Sequence, residues 1–483
     1  MVAGQKVQFE AKDKNVTLPD TPAGRQMTDF LKAFNSGDAD LNRRFIAEHF
    51  AKTALKQNSL EERAARQKSL FTLTQGLSLR RIEKSEDYAI IVFAQERLDE
   101  TLMRVNIEVE KDAPHKIVGF GIRRYGLFDP TNGKTPEKRL SEAETLKDIR
   151  VYLDKLTTTD QFSGAVLIAR NGKPIFTRAY GLANKSFNVP NRIDTKFNLA
   201  SMNKMFTAVA IAQLAEAGKL SFDDTIIKHL PDYPNKAVAE KVTIHQLLTH
   251  TSGLGDFFNE KFEAKKNRLR AVSDYYSLFA DDPLLFEPGA KWRYSNAGFI
   301  VLGAIIERVS GQKYFDYVRE HIYKPAGMTN SDSYETDNII ENLAVGYTEI
   351  GLDNRAKPGQ MWNNLVILPV KGSPAGGGYS TVEDLLKFDV ALRENKLLSK
   401  KFTDLILTGK VETVAPDRKY AYGFMADLTN GTRIAGHGGT SPGANTKLDM
   451  YLDIGYTVIV LSNYDPRGAE RVADRFRGRI TRK

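Results

Sequence analysis

The chain has 483 residues, of which 41% are hydrophobic and 27% charged, and its formal net charge is +9. This composition is typical of a globular protein, and the length favours two domains over a single core. Cysteine is absent, which excludes disulfides, thiolate metal sites and a cysteine nucleophile. Basic and acidic residues are interspersed, without a basic stripe carrying aromatic residues, so we expect no nucleic-acid partner.

The first 128 residues favour a small α+β domain. Thr21 and Pro22 predict the start of an amphipathic helix that continues to Asn35, and helical patterns extend to residue 70. The hydrophobic period then changes to two over residues 88–125, which is typical of strands. Helices followed by strands, with the phrase Phe34-Asn35-Ser36-Gly37-Asp38 ending the first helix, resemble the NTF2-like family.

A linker is predicted over residues 129–140. Its first part, Asp129–Pro136, is rich in turn-forming residues and charge. Ser141 and Glu144 then match the capping box that begins many helices. We therefore expect a second domain over residues 141–483.

Both ends of this second domain carry strand patterns around an Asn-Gly pair, a strong signal for a hairpin turn. The pairs are Asn171-Gly172 and Asn430-Gly431. Strands are predicted at 164–170, 174–180, 422–429, 432–436, 447–452 and 456–461, and a final helix carries Val472, Phe476 and Ile480. Because helical patterns fill the middle, we expect an α+β fold whose antiparallel strands come from both ends of the domain.

The first candidate site residues are Ser201 and Lys204. A helix is predicted from Ser201 to Ala217, which places the serine in its first turn and the lysine three residues later on the same face. A serine hydroxyl needs a nearby base to act as a nucleophile, and a lysine with a lowered pKa can supply one. The spacing alone is weak evidence, because Ser310-Gly311-Gln312-Lys313 repeats it at a predicted helix end.

Two further motifs give this pair its significance. Tyr294-Ser295-Asn296 opens an apolar helix, and His437-Gly438-Gly439 is predicted to close the strand after the Asn430-Gly431 turn. The order S-x-x-K, Y-x-N, H-x-G resembles the serine beta-lactamase-like superfamily, including class C beta-lactamases, D-alanyl-D-alanine carboxypeptidases, D-aminopeptidases and beta-lactamase-fold esterases. The S-x-x-K motif is also that of beta-lactamases and penicillin-binding proteins. The resemblance covers residues 141–483 and implies an antiparallel sheet flanked by helices, with an all-helical lobe.

The resemblance also implies a role for each motif residue. Ser201 would be acylated, Lys204 would accept or relay its proton, and Tyr294 would act as a second general base. Asn296 would bind the substrate or Lys204. The backbone N–H groups of Ser201 and Thr440 would form the oxyanion hole, and the glycines of the third motif would allow close approach of the acyl group. Substrate-binding positions are therefore expected at Asn296, His437, Gly438, Gly439 and Thr440.

The chain departs from the beta-lactamase pattern at His437, where those enzymes usually have lysine. A histidine with a pKa near 6.5 is mostly neutral at pH 7, so it does not replace the fixed charge that helps to bind a substrate carboxylate. We therefore expect an esterase or D-peptidase acting on small esters or on peptides and amides with D-residues. A beta-lactamase or acyltransferase with the same nucleophile, and a catalytically silent ligand-binding protein, remain alternatives.

Other motifs have simpler interpretations. Gly439-Thr440-Ser441-Pro442-Gly443 matches the nucleophile elbow of α/β-hydrolases, but a strand pattern follows the serine where a helix is needed. His245 and His250 lack the spacing of a zinc-protease motif, and His250 is interpreted as structural. The glycines at 376–378 lack a phosphate-loop continuation and are expected to precede a capping box at Ser380 and Glu383.

The sequence implies no metal or cofactor and contains no apolar run long enough for a transmembrane segment. The amino terminus carries no signal-peptide pattern. The expected location is therefore the periplasm or the exterior if a leader has been removed, and otherwise the cytoplasm.

Overall fold

The computed structural model of the protein describes residues 16–97, 101–126, 140–349, 360–414, 418–465 and 467–481. These residues form two compact units: the first lies within Met1–Arg139 and also includes Gln360, and the second lies within Leu140–Arg355 and Met361–Thr481. The predicted linker at Asp129–Pro136 lies outside the described residues. The domain limits 1–128 and 141–483 stay predictions.

The N-terminal unit consists of helices followed by a sheet. The first helix begins at Pro22 and ends at Asn35 as predicted, because the Thr21 hydroxyl accepts a hydrogen bond from the Gly24 N–H at 3.1 Å. The helices are α1 (Pro22–Asn35), α2 (Ala39–His49), α3 (Lys52–Gln57) and α4 (Leu60–Thr74). The strands form an antiparallel meander of β1 (Leu77–Ser85), β2 (Ala89–Glu96), β3 (Leu102–Val109) and β4 (Ile117–Gly126). The NTF2-like resemblance is not confirmed.

The second unit is built on an eight-stranded antiparallel sheet. Its amino-terminal hairpin pairs with the strand nearest to the carboxyl terminus. Asn171 and Gly172 have φ of 50° and 74°, and Asn430 and Gly431 have φ of 51° and 80°, as the predicted hairpin turns require. The strands of the sheet are β5 (Gly164–Arg170), β6 (Lys173–Tyr180), β13 (Val411–Glu412), β14 (Arg418–Tyr420), β15 (Met425–Thr429), β16 (Thr432–Ser441), β17 (Ala444–Tyr451) and β18 (Tyr456–Ser462). Their order across the sheet is β13-β14-β15-β16-β17-β18-β5-β6.

Within the part of the chain that the structure describes, three two-stranded pairs lie outside this sheet. They are β7 (Leu182–Asn184) with β8 (Val189–Pro190), β9 (Phe197–Asn198) with β12 (Tyr379–Ser380), and β10 (Tyr347–Thr348) with β11 (Trp362–Asn363). The pair β9 and β12 joins the segment just before Ser201 to the segment that follows the glycines at 376–378.

Helices cover the sheet and fill the middle of the unit. Helix α6 (Asn203–Glu216) is apolar around most of its circumference and almost wholly buried, as expected for a helix at the centre of a large core. The helices are α5 (Glu142–Thr158), α6 (Asn203–Glu216), α7 (Ile226–His229), α8 (Lys236–Lys241), α9 (Ile244–Leu248), α10 (Glu260–Lys265), α11 (Tyr276–Phe279), α12 (Asn296–Ser310), α13 (Tyr314–Val318), α14 (Lys324–Ala326), α15 (Val382–Arg393), α16 (Lys400–Leu407) and α17 (Gly468–Ile480). The α+β fold class, with an antiparallel sheet and flanking helices, is confirmed.

Two local predictions were wrong. Strand β16 continues to Ser441 and does not close at His437-Gly438-Gly439, because pairing with β17 keeps its glycines extended. The cap of α15 is Thr381, whose hydroxyl accepts a hydrogen bond from the Asp384 N–H at 3.2 Å, and not Ser380, which belongs to β12. No helix of the described chain is long and apolar enough to cross a membrane.

Candidate active site

Ser201 lies in a single 3₁₀ turn, Ala200–Met202, that leads directly into α6. Ala200 has a φ of +44°, a left-handed conformation that is strained for a residue with a Cβ atom. The Ala200 carbonyl accepts a hydrogen bond from the Gly377 N–H at 3.1 Å. On the other side, a Cβ atom at Gly439 would lie 2.1 Å from the Leu199 carbonyl oxygen, so β16 approaches the serine segment as closely as its backbone allows.

Lys204 is completely buried behind Ser201. Its Nζ atom lies 3.3 Å from Ser201 Oγ, 2.7 Å from Asn296 Oδ1 and 2.5 Å from the Ala375 carbonyl oxygen. Burial lowers the pKa of Lys204 to about 7, against a smaller opposing effect of the Asp256 carboxylate. The lysine can therefore exist as a neutral amine near neutral pH.

Tyr294 stands at the entrance to α12 and faces the same pair. Its hydroxyl oxygen is buried beside Ser201, and no hydrogen bond of standard geometry joins it to another group within the described parts of the chain. Its ring centroid lies 4.1 Å from that of His250 and 4.8 Å from Lys204 Nζ. Burial raises the pKa of the Tyr294 phenol, and the Ser201 hydroxyl offsets this rise only in part. A second general base would need a lowered pKa, so this environment favours a tyrosine that keeps its proton.

The Tyr294-Ser295-Asn296 motif is held by a loop that the sequence did not single out for this purpose. The Ser295 N–H donates to His250 Nδ1 at 3.1 Å, and the Ser295 hydroxyl donates to the Gly255 carbonyl at 2.6 Å. Asn296 Nδ2 donates to Asp256 Oδ2 at 2.8 Å, which turns the Asn296 amide oxygen toward Lys204. His250 thus has the structural contacts expected of it, and Asp256 orients Asn296.

His437 is buried, and both of its ring nitrogens have partners. Nδ1 lies 2.5 Å from the Gly438 carbonyl oxygen, so it must carry the proton, and Nε2 lies 3.0 Å from the Tyr420 hydroxyl, from which it accepts. Burial, helped by the charge of Lys204, lowers the pKa of His437 to about 3. The imidazole is therefore neutral and contributes no positive charge to the site.

Strand β16 presents an open edge beside Ser201. Its partner β15 reaches only as far as the pair Met425 and Gly436, whereas pairing with β17 continues to Ser441 and Ala444. In an antiparallel pair, alternate residues direct their backbone groups to opposite sides, and two-residue turns at both ends of β16 fix this alternation. The N–H groups of Gly438 and Thr440 accordingly point away from β17 toward the open edge.

An open cavity of about 660 Å³ unites these elements. One wall is apolar and comes mainly from the segment 257–275 and from Ile367, Leu368 and Pro369. The lining also contains Arg418, Lys447 and Glu470, three residues that the motifs did not reveal. The lining includes most of the predicted site: Ser201, Tyr294, Asn296, His437, Gly438 and Thr440. Lys204 lies behind Ser201, and Gly439 packs against the Leu199 carbonyl.

The competing motifs are placed differently. Ser310 ends α12 and its hydroxyl donates to the Ile306 carbonyl at 2.6 Å, as expected of a helix terminator. Ser441 lines the cavity, but the chain turns from it into β17 and not into the helix that a nucleophile elbow requires. His245 Nδ1 lies 2.7 Å from the Tyr422 hydroxyl. Within the described ranges, no group of three or more His, Asp or Glu residues is placed to hold a metal ion.

Comparisons with known proteins agree with this architecture. The sequence model of the Beta-lactamase family matches residues 150–483. Penicillin-binding protein 4* of Bacillus subtilis is 32% identical over 66% of this chain and 71% of its own length, and esterase EstB of Burkholderia gladioli is 29% identical over 67% and 92%. The crystal structure of a penicillin-binding protein from Bacillus halodurans is 34% identical, with a TM-score of 0.59 over 70% of this chain and 97% of that one.

These matches confirm the resemblance drawn from the three motifs and the assignment as a serine hydrolase of the beta-lactamase fold. The N-terminal unit lies outside the segment that the family model matches. From residue 150 to its end, the chain belongs to the Beta-lactamase family.

Proposed function

We propose that the protein hydrolyses small esters, or peptides and amides with D-residues, through an acyl-enzyme on Ser201. The observation that carries this proposal is the contact of Ser201 Oγ with Lys204 Nζ at 3.3 Å, combined with a Lys204 pKa of about 7. A base whose pKa lies near the working pH is efficient in general base catalysis.

The acceptors around Lys204 suggest how the serine is activated. A neutral amine has two N–H groups and one lone pair. The two short contacts, to Asn296 Oδ1 and the Ala375 carbonyl, use the N–H groups, because both partners can only accept. The lone pair is then directed to Ser201, so the amine removes the hydroxyl proton while Oγ bonds to the substrate carbonyl carbon.

The remaining steps use the open edge of β16 and Tyr294. The N–H groups of Ser201 and Thr440 stabilise the negative charge on the carbonyl oxygen in the tetrahedral intermediate. When that intermediate collapses, the bond to the leaving group breaks and the leaving atom takes the proton of the Tyr294 hydroxyl, which the Lys204 ammonium replaces. Water then attacks the acyl carbon and passes a proton through Tyr294 to Lys204. The bond between the acyl carbon and Ser201 Oγ breaks, and Oγ takes that proton from the Lys204 ammonium.

The cavity bears on the choice of substrate. Phe257, Phe258, Phe262 and Tyr275 supply an aromatic wall beside Ser201, which suits an apolar acyl group or D-side chain. The relative named as an esterase supports the ester alternative. Acyl transfer to an amine, and opening of a beta-lactam ring, use the same nucleophile and stay alternatives, as does a silent ligand-binding protein.

The nucleophile is tested by labelling with a fluorophosphonate, followed by measurement of the intact mass. We expect one adduct on the wild-type protein, none on Ser201→Ala, and one on Ser441→Ala, whose serine lines the same cavity. An adduct that survives only in Ser201→Ala contradicts the assignment, and failure of the wild type to react favours the silent alternative. A panel of short-chain esters, D-aminoacyl amides and a chromogenic cephalosporin then separates the substrate classes, and added hydroxylamine detects acyl transfer.

A further inference from the structure

A tight turn at Ser373–Gly376 carries a carbonyl group that contacts the proposed base. The Ser373 N–H donates to the Gly376 carbonyl at 2.7 Å, and the Gly376 N–H donates back to the Ser373 carbonyl at 3.1 Å. Pro374 and Ala375 are the two central residues, and proline suits the first central position because its ring fixes φ. The turn is closed by its own backbone, so its contacts with the helices determine where its carbonyl groups lie.

Two neighbouring carbonyl groups of this turn meet two side chains of α6. The Ala375 carbonyl accepts from Lys204 Nζ at 2.5 Å, and the Pro374 carbonyl accepts from Thr207 Oγ1 at 2.7 Å. Lys204 and Thr207 are three residues apart, so they lie next to each other on one face of the helix. On α12, a Cβ atom at Gly303 would lie 2.3 Å from Pro374 Cγ. Since glycine leaves this space to the proline ring, the turn is held between α6 and α12.

The Thr207 hydroxyl is itself held by Tyr314. Its oxygen lies 2.7 Å from the Tyr314 hydroxyl and 3.5 Å from the Asn203 carbonyl oxygen, which is the usual acceptor for a threonine four residues later in a helix. The shorter contact to Pro374 takes the single Thr207 proton, so Tyr314 must donate to the threonine oxygen. Thr207 and Tyr314 are buried, so water does not compete for these bonds. Two hydrogen bonds in series thus lead from Tyr314 to the turn.

We propose that Thr207 and Tyr314 are positioning residues for the reaction at Ser201. Through the turn they hold the Ala375 carbonyl against Lys204, and this contact leaves the lone pair of the neutral amine for the Ser201 hydroxyl. Neither is among the described residues that line the cavity, so they act through Lys204 and not by touching the substrate. The inference rests on the function proposed for Ser201 and adds two buried residues to it.

The test compares removal of the threonine hydroxyl with its retention. Thr207→Val has nearly the same shape but no hydroxyl, whereas Thr207→Ser keeps both hydrogen bonds. The second-order rate constant for fluorophosphonate labelling, measured where it is independent of pH, should fall at least about 10-fold in Thr207→Val and less than about 3-fold in Thr207→Ser. A displacement of about 1 Å in a catalytic group can cost about 100-fold in rate. Tyr314→Phe removes only the outer hydrogen bond and should lower the rate about 5-fold.

Tyr233→Phe is the matched control, because Tyr233 is also buried but its hydroxyl has no hydrogen-bond partner among the residues that the structure describes. Thermal unfolding of each variant ensures that rates are compared on folded protein. A loss of less than about 10-fold in Thr207→Val, or a loss of similar size in Thr207→Ser or Tyr233→Phe, overturns the inference. If Thr207→Val does not fold, Tyr314→Phe is compared with Tyr233→Phe, and equal rates in these two overturn it.

A second readout follows the lysine itself and needs no turnover. Burial lowers the pKa of Lys204 to about 7, which separates its NMR titration from those of ordinary lysines near about 10.4, and its signal is identified by its loss in Lys204→Met. A carbonyl acceptor favours the charged ammonium. Loss of the Ala375 contact in Thr207→Val should therefore move the titration to lower pH by at least about half a pH unit, whereas Tyr233→Phe should leave it unchanged.

The other titratable groups around Lys204 stay in place in these variants, namely Tyr294, His250, His437 and Asp256. A Lys204 titration that is unchanged in Thr207→Val also overturns the inference. Failure of the Ser201 proposal is recognised separately, by labelling that survives in Ser201→Ala.

Discussion

Substitution of Asp256 tests what determines the pKa of the base Lys204. Its carboxylate accepts a hydrogen bond from Asn296 Nδ2 at 2.8 Å, and Asn296 Oδ1 accepts from Lys204 Nζ at 2.7 Å. The negative charge opposes the effect of burial on the pKa of Lys204. In Asp256→Asn this opposition is lost, so the pKa of Lys204 should fall further. Because the neutral amine is the active form, the acid limb of kcat/KM should move to lower pH.

The size of this shift follows from the geometry. Two hydrogen bonds in series separate the charges by about 7 Å, and Asp256 is exposed, so an effective dielectric constant of about 40 is appropriate. Coulomb's law then gives about 1 kcal/mol, which corresponds to slightly less than one pKa unit. An asparagine oxygen can still accept from Asn296, so the plateau of kcat/KM should fall only about 3-fold.

The assay is the pH dependence of p-nitrophenyl acetate hydrolysis under kcat/KM conditions. Glu260→Gln is the matched control, because it removes the same charge from an exposed position in the first turn of α10. An acid limb of Asp256→Asn that stays with that of the control, or moves to higher pH, refutes the proposed link between Asp256 and Lys204.

Three further outcomes are expected. In thermal unfolding, Gly439→Ala should lower Tm and also remove most activity, because the new Cβ atom would lie 2.1 Å from the Leu199 carbonyl oxygen. The control Gly438→Ala, whose Cβ atom would lie 3.4 Å from its nearest neighbour, should keep Tm within about 3 °C of the wild type. Phe258→Ala should reduce the preference for hexanoyl over acetyl esters by about 10-fold in kcat/KM. This is the loss of contact with about two methylene groups of the acyl chain, at about 0.8 kcal/mol each. The pKa of Lys204 in the folded protein, about 7, lies below its value in the unfolded chain, so only the unfolded chain binds this proton between about pH 7 and about pH 10. The free energy of unfolding of the wild type, measured with urea, should therefore rise over this range relative to that of Lys204→Met.

Features with a local cause could be predicted from the sequence. The Asn-Gly turns, the Thr21 cap and the Ser141 capping box depend on neighbouring residues, and they occur where expected. The motif residues could be placed because their order matches a known family. Strand β1 and the short helix α3 lacked a clear period in the sequence, and their places are set by packing within the N-terminal unit.

Other features depend on contacts between distant segments. The extension of β16 through its glycines is imposed by β17, and Thr381 prevails over Ser380 as a cap because β12 takes the serine. A series of ion pairs from Arg418 through Asp427, Arg477 and Asp449 to Lys447 joins three strands and α17. No spacing rule reveals such an arrangement, since each of its residues looks like an ordinary surface charge in the sequence.

The left-handed backbone conformation of Ala200 lowers the stability of the fold and also holds Ser201 in place. A non-glycine residue in this conformation costs about 1 kcal/mol, and glycine would remove most of that cost. Glycine would also free the chain immediately before Ser201, where the serine must hold one position against Lys204 and β16. Selection for stability and selection for activity therefore act in opposite directions at this residue, and a search for heat-resistant variants is expected to find slower enzymes here.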